Sequence, residues 1–161
     1  MGDAGRGLLA PETSNHLTLE VPSLPRNAEL CRLAVAVFAG ALPFTLAEVE
    51  QVKVAVSEAV GNCVLHAYPE GPGRVVVRAR LETGELRLEV EDWGRGIEDV
   101  AQARQPAFTT STDPDHMGLG FAFMEQFTDH LDVVSAPGRG TLVTMRKRPT
   151  AAGVSGSGGE P

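Results

Sequence analysis

The sequence is poor in aromatic residues, cysteine and basic charge, and each shortage narrows what the chain can do. One Trp, one Tyr and six Phe leave few platforms for stacking unpaired bases, so a single-stranded nucleic-acid groove is not expected. Fourteen Lys and Arg stand against 21 Asp and Glu, a net charge of −7, which opposes broad contact with nucleic acid or an anionic membrane. Only two cysteines occur, Cys31 and Cys63. Each sits among apolar neighbours, which suits buried thiols better than a disulfide framework or a metal site. No apolar run approaches the ~20 residues of a membrane span, and the N-terminal stretch carries Asp3 and Glu12 without an apolar leader core. A cytoplasmic protein is expected. A GxxxxGK[ST] phosphate loop is also missing.

What is present suits a single domain at 161 residues. Residues 1–15 read as a flexible N-terminal segment, 16–148 as the folded unit and 149–161 as a flexible Gly/Ser-rich tail. His16–Val21 alternates as a first strand. Ala28–Ala39 places Leu30, Leu33, Ala34, Val37 and Phe38 at helical spacing. Thr45-Leu-Ala-Glu48 is a capping box, opening a longer helix to about His66 with Leu46, Val49, Val52, Val56, Val60 and Val64 on its apolar side. The run PEGPG stops it. Strands follow at Arg74–Glu82 and Glu85–Asp92 around Thr83-Gly84. Glu98–Arg104 suits a short helix, Pro106–Met117 a mobile loop and Gly118–His130 another helix, before a hairpin of Leu131–Ala136 and Thr141–Arg146. This order predicts an α+β, two-layer α/β sandwich: a mixed, mostly antiparallel sheet with helices on one face.

Three features carry chemistry. Glu58, Asn62 and His66 fall at i, i+4 and i+8 on the long helix, drifting only ~40° per step, and so form one polar stripe. A carboxylate and an amide one turn apart can activate a hydroxyl and offer an oxygen to Mg²⁺; a solvated helix edge would show the same spacing. Asp92-Trp-Gly-Arg-Gly96 ends a strand with an acceptor suited to an exocyclic amine, although an ordinary Asp/Gly turn reads the same. Gly118-Leu-Gly120 opens a helix, where free amides and the positive helix end make a phosphate site, or simply a loop joining a helix.

In their order these three resemble the nucleotide-binding boxes of the Bergerat (GHKL) ATPases, which include gyrase, histidine kinases and MutL. The stretches SEAVGNCVLHAY, EDWGRGIEDVAQARQPAFTT, MGLGFAFMEQFTD and APGRGTLVTM narrow the resemblance to the sporulation-type anti-sigma factor serine kinases, over about His16 to Arg148. The resemblance implies ATP/ADP and Mg²⁺ as cofactors. Glu58 would be the general base on a serine hydroxyl of a protein substrate, and Asn62 the Mg²⁺ ligand. Asp92 would read the adenine amine, with Gly94 and Gly96 allowing close approach and Thr141 supporting the adenine side. Thr109 to Met117 would form a lid, and Gly118, Leu119 and Gly120 would hold the phosphates. Such a site suits phosphoryl transfer, which depends on positioning and charge neutralisation. One departure stands out: His116 occupies a lid position where the family usually has arginine.

The same resemblance implies partners. These are a sporulation sigma factor held in the ATP-bound state, a STAS-type anti-anti-sigma protein phosphorylated on serine, and a second copy of the chain in a homodimer. Arg32 matches a family position that contacts both sigma factor and antagonist, although a solvated charge would look the same. No direct nucleic-acid or membrane contact is implied. A nucleotide-dependent anti-sigma binding module with weak kinase activity, or an anti-sigma kinase of the general stress response, would use the same residues.

Overall fold

The computed structural model describes residues 15–106 and 118–150. Five strands form one sheet: β1 His16–Pro22, β2 Arg74–Glu82, β3 Glu85–Asp92, β4 His130–Ala136 and β5 Gly140–Lys147. Their spatial order is β1-β2-β3-β5-β4, and all four pairings are antiparallel, so the sheet is purely antiparallel rather than mixed. Among the described residues four helices accompany it: α1 Pro25–Ala39, α2 Leu46–Asn62, the short α3 Val100–Ala103, and α4 Gly120–Phe127. A π turn, Cys63–Ala67, continues α2.

Alternation along the strands decides which face is covered. Val75, Val77 and Ala79 of β2, Leu86, Leu88 and Val90 of β3, and Val143 and Met145 of β5 are buried. They join Val52, Val56 and Val60 of α2 and Met124 of α4 in one core. The opposite face carries ion pairs instead of a second helical layer, among them Arg78 with Glu91 at 2.7 Å and Arg87 with Glu89 at 2.8 Å. Two layers result, as the element order predicts.

Three details of the helices differ from expectation. The first helix begins at Pro25, not Ala28, because proline suits the first turn, where its missing N–H leaves no bond unmade. Its buried face is Cys31, Val35 and Ala39, whereas Leu30, Leu33 and Val37 are 52%, 46% and 82% exposed. This helix is apolar nearly all round, so periodicity alone selects the wrong side; the smaller residues face α2. Leu46, expected on the apolar side of α2, is 87% exposed. Residues two apart on a helix point ~200° away from each other, and here the inward position belongs to Glu48.

Glu48 is a buried carboxylate that closes both ends of a long loop in the chain. Its Oε2 accepts the Thr45 amide at 2.8 Å while its own amide donates to Thr45 Oγ1 at 3.2 Å, completing the capping box. Its Oε1 accepts the Thr150 amide and hydroxyl, each at 2.8 Å, which ties the residues after β5 to the start of α2. The Thr45 and Thr150 donors hold the Glu48 carboxyl down from its ordinary 4.5 to about 2. Between those values the unfolded chain binds the proton and the folded chain does not, so this stabilisation is complete above pH 4.5 and lost as pH falls through 2. Glu48→Gln keeps the capping geometry without the charge. Thermal unfolding from pH 7 to pH 2 is expected to show the variant below wild type at neutral pH, with the gap closing as the acid limit is approached.

Candidate functional site

One cavity of about 850 Å³ opens between the α2 layer, the end of β3 and the start of α4. Glu58 and Asn62 of α2, His66 of the π turn, Asp92 and Gly96 of the β3 turn, Gly118, Leu119 and Gly120, and Thr141 of β5 all line it. The polar stripe, the strand-end aspartate and the glycine helix start are therefore walls of one site. Thr109 and the other expected lid positions to Met117 lie outside the described residues.

The approach of α4 to α2 is set at Gly120. A Cβ there would stand 2.9 Å from Glu58 Oε2 and 3.5 Å from Asn62 Oδ1, so a larger residue would press on both side chains. Gly118 just before it has φ +68°, a left-handed conformation that turns the chain into the helix. The C-terminal end of α4 is capped, whereas its N-terminal end has no side-chain cap. Thr128 Oγ1 donates to the Met124 carbonyl at 2.6 Å, and Lys147 Nζ to the Phe127 carbonyl at 2.8 Å. A cation at the C-terminus matches the helix dipole and leaves the positive N-terminus facing the cavity.

Asp92 is 5% exposed at the end of β3. Burial raises its carboxyl above the ordinary aspartate value, opposed by hydrogen bonds from the Gly94 amide, the Cys63 thiol and the Thr141 amide. The Gly94 bond reaches Oδ1 at 2.9 Å. The Cys63 sulfur also lies 3.4 Å from the Ala59 carbonyl, which competes with Asp92 for its one hydrogen, and burial pushes the thiol well above the usual value, leaving it protonated and unreactive.

The turn after Asp92 is clamped on two sides. Its Arg95 amide donates to the Ala67 carbonyl at 2.8 Å, and the Trp93 amide donates to Tyr68 Oη at 2.8 Å. On the far side the Gly138 amide donates to the Arg95 carbonyl at 2.7 Å. A Cβ on Gly94 would fall 2.1 Å from the Ala67 carbonyl oxygen, and one on Gly96, at φ +72°, would fall 2.0 Å from the Ala136 carbonyl oxygen. The close approach these glycines permit is thus that of the protein's own backbone, although Gly96 also borders the cavity. Trp93 carries the Arg74 guanidinium 4.4 Å above its ring.

Four residues at the site escape a reading of motifs: Cys63, Tyr68, Ser135 and Gly140. Ser135 had a signal, being polar at the inward position of the alternating series Leu131, Val133, Ser135. Gly140 sits at φ +79°, where a Cβ would fall 2.0 Å from the Asp92 carbonyl oxygen. Arg32 lies on α1, outside the cavity, and pairs with Glu29 at 2.6 Å. Among the described residues no cluster of three His, Cys, Asp or Glu side chains could hold a metal ion. The oxygens of Asn62 and Glu58 beside Gly120 do suit a hard cation that takes only part of its shell from protein.

Comparison with known proteins agrees with this geometry. Residues 21–147 match the histidine kinase-like ATPase domain. The chain is 44% identical over 136 residues to the anti-sigma F factor of Caldanaerobacter subterraneus subsp. tengcongensis, spanning 84% of this chain and 95% of that protein. It is 40% identical over 134 residues to the anti-sigma F factor of Clostridium acetobutylicum, spanning 83% and 94%. The fold is shared with the RsbU and RsbW domains of a Mycobacterium tuberculosis protein, at a TM-score of 0.61 and 21% identity over 83% of this chain and 32% of that longer one.

The packing at Gly94 can be tested against a glycine with room. Gly94→Ala must displace the Ala67 backbone, at a cost of about 1–3 kcal/mol. At roughly 2–4 °C per kcal/mol, thermal unfolding should fall by several degrees. Gly61→Ala, whose Cβ meets nothing within 4 Å on the same helix layer, should unfold at or slightly above the wild-type temperature.

Proposed function

The chain belongs to the histidine kinase-like ATPase domain family and, within it, to the anti-sigma F factors, and on that premise we propose that it is an ATP-dependent protein-serine kinase that also holds a sigma factor. It would act in the cytoplasm on two protein partners, a sporulation sigma factor and a STAS-type anti-anti-sigma protein. The observation that carries this reading is the meeting of Glu58, Asn62 and the Gly118–Gly120 helix start in one cavity that also contains Asp92.

Each group has work suited to it. The amides at the start of α4 and the helix dipole bind phosphate oxygens. Asn62 offers its side-chain oxygen to Mg²⁺, which supplies charge neutralisation on the phosphates when bound. Asp92 accepts a hydrogen bond from the adenine amine. Glu58 takes the proton of the substrate serine as that oxygen bonds to the terminal phosphorus, while the bond to the bridging oxygen of ADP breaks.

The exposed apolar residues of α1 support the protein contacts. Leu30, Leu33 and Val37, at i, i+3 and i+7, make a stripe beside Arg32 that solvent alone does not favour. That stripe is proposed to bury against a second copy of the chain, with Arg32 at its border presented to the sigma factor and the antagonist. Nucleotide occupancy then decides which partner holds the complex, through its different affinity for the two states.

Four outcomes are expected. Labelled ATP·Mg²⁺ should transfer acid-stable phosphate to a serine of a purified STAS-type anti-anti-sigma protein. Glu58→Gln should retain ADP binding yet lose transfer by about 10²–10⁴-fold; measurable ADP binding with no transfer even by wild type would leave a nucleotide-gated binding module instead. Calorimetry on Asp92→Asn should show ADP affinity reduced about 100-fold, the worth of a hydrogen bond to a charged group. In sedimentation velocity, Val37→Glu should move the chain from dimer to monomer without loss of ADP affinity.

A further inference from the structure

The hairpin of β4 and β5 holds a hydroxyl whose three hydrogen bonds can be assigned by counting donors. Ser135 Oγ lies 2.9 Å from the Ile97 amide nitrogen, 2.9 Å from the Gly140 carbonyl oxygen and 2.9 Å from Thr141 Oγ1. A serine hydroxyl has one hydrogen and two lone pairs. The amide can only donate and the carbonyl can only accept, so the serine hydrogen goes to Gly140 and one lone pair takes Ile97. Only a lone pair is left for Thr141, whose hydroxyl must therefore donate to Ser135. Thr141 turns its hydrogen away from the cavity it lines and shows that cavity lone pairs alone. Its register partner across β3 and β5 is Asp92, whose carboxyl offers acceptor oxygens beside it.

We propose that Ser135 is a specificity-determining positioning residue: by taking the Thr141 hydrogen it makes the Asp92–Thr141 end of the cavity an acceptor surface, which selects a base carrying an exocyclic amine over one carrying a carbonyl there. This rests on the nucleotide reading above. An amine hydrogen meets a lone pair at that end, whereas a carbonyl oxygen would face lone pairs and remain a buried, unpaired acceptor even where the hydrogen on its neighbouring ring nitrogen is accepted. A threonine hydroxyl free to rotate would serve either group and discriminate less. Ser135 touches no ligand in this scheme; it acts by fixing the direction of one hydrogen. The Ile97 bond has a second effect, since it ties the hydroxyl to the segment that follows the Asp92–Gly96 turn.

The test compares ADP with IDP, which replaces the amine by a carbonyl and places a hydrogen on the adjacent ring nitrogen. Both are titrated calorimetrically into the full chain with Mg²⁺ present. Wild type should prefer ADP, and Ser135→Ala should narrow the ADP-to-IDP affinity ratio about five-fold, the worth of one net hydrogen bond. Ser135→Thr, which keeps the hydroxyl, should restore the ratio. In a Thr141→Val background, Ser135→Ala should leave the ratio where it stands. Equal weakening of both nucleotides in Ser135→Ala, with the ratio unmoved, would overturn the proposal and reduce Ser135 to a structural role. Thr141→Val alone gives an independent reading if Ser135→Ala does not fold, because a wild-type ratio in that variant also overturns it. Absence of ADP binding by the wild-type chain would remove the nucleotide reading and this inference together, which distinguishes the two failures.

Discussion

The site depends on one backbone contact, the Arg95 amide donating to the Ala67 carbonyl at 2.8 Å with Gly94 pressed against the same carbonyl. Ala67 ends the π turn that follows α2, and Arg95 lies in the turn that follows β3. The bond therefore sets the distance between the helix that carries Glu58 and Asn62 and the strand end that carries Asp92. The last carbonyls of any helix find no partner farther along it, and Ala67, the last residue of the π turn, gives its carbonyl to the Arg95 amide. Tyr68 reinforces the junction by accepting the Trp93 amide, and Gly73 accommodates its ring, since a Cβ there would overlap it. Glycine at 94 follows from this docking before any ligand is considered.

Two carboxylates with little exposed surface but at different depths show how the same fold treats charge in opposite ways. Glu48 and Asp92 are each 5% exposed. Donors from Thr45 and Thr150 dominate at Glu48 and favour its charged form, which binds the segment just after β5 to the start of α2. At Asp92 desolvation dominates over three donors, and the carboxyl is raised instead. The first group is saturated by its own protein and acts as a clasp. The second lies beside a large cavity with its hydrogen-bonding needs met less completely, which is the condition for recognising a donor from outside.

Much of this was legible in the residues. Element order, the two-layer class and the capping box follow from alternation, helical spacing and a four-residue signature, all of which are local. The convergence of Glu58, Asn62, Asp92, Gly120 and Thr141 followed from order along the chain together with family resemblance, not from spacing alone. Local rules failed where partners were distant. Helical spacing does not single out the buried face of α1, because Leu30, Leu33 and Val37 are as apolar as the residues that face α2. Leu46 was misassigned because the inward position at that end is taken by a glutamate whose partner, Thr150, lies 102 residues away. The π turn differs from an α-helix only in the offset of its bonds, a choice made by docking against the β3 turn and not by CVLHA itself.

The placement of α1 gives the proposed partner switching a physical route. α1 turns Cys31, Val35 and Ala39 inward and leaves Leu30, Leu33 and Val37 outward, while α2 beneath it carries Glu58 and Asn62 on the cavity side. A single helix thus separates the cavity from the exposed α1 stripe proposed for docking. Close-packed interiors respond to a displaced helix by shifting their neighbours as units. A displacement of α2 by a ligand engaging Asn62 and the start of α4 would reach α1 through the packing of Val35 and Ala39. Linkage makes the effect reciprocal: a partner that binds the α1 face better when nucleotide is present tightens nucleotide binding by the same factor. The proposed catalytic residues and docking stripe are in this sense two faces of one packed pair of helices, coupled as far as a partner bound at α1 distinguishes the nucleotide-bound state from the empty one.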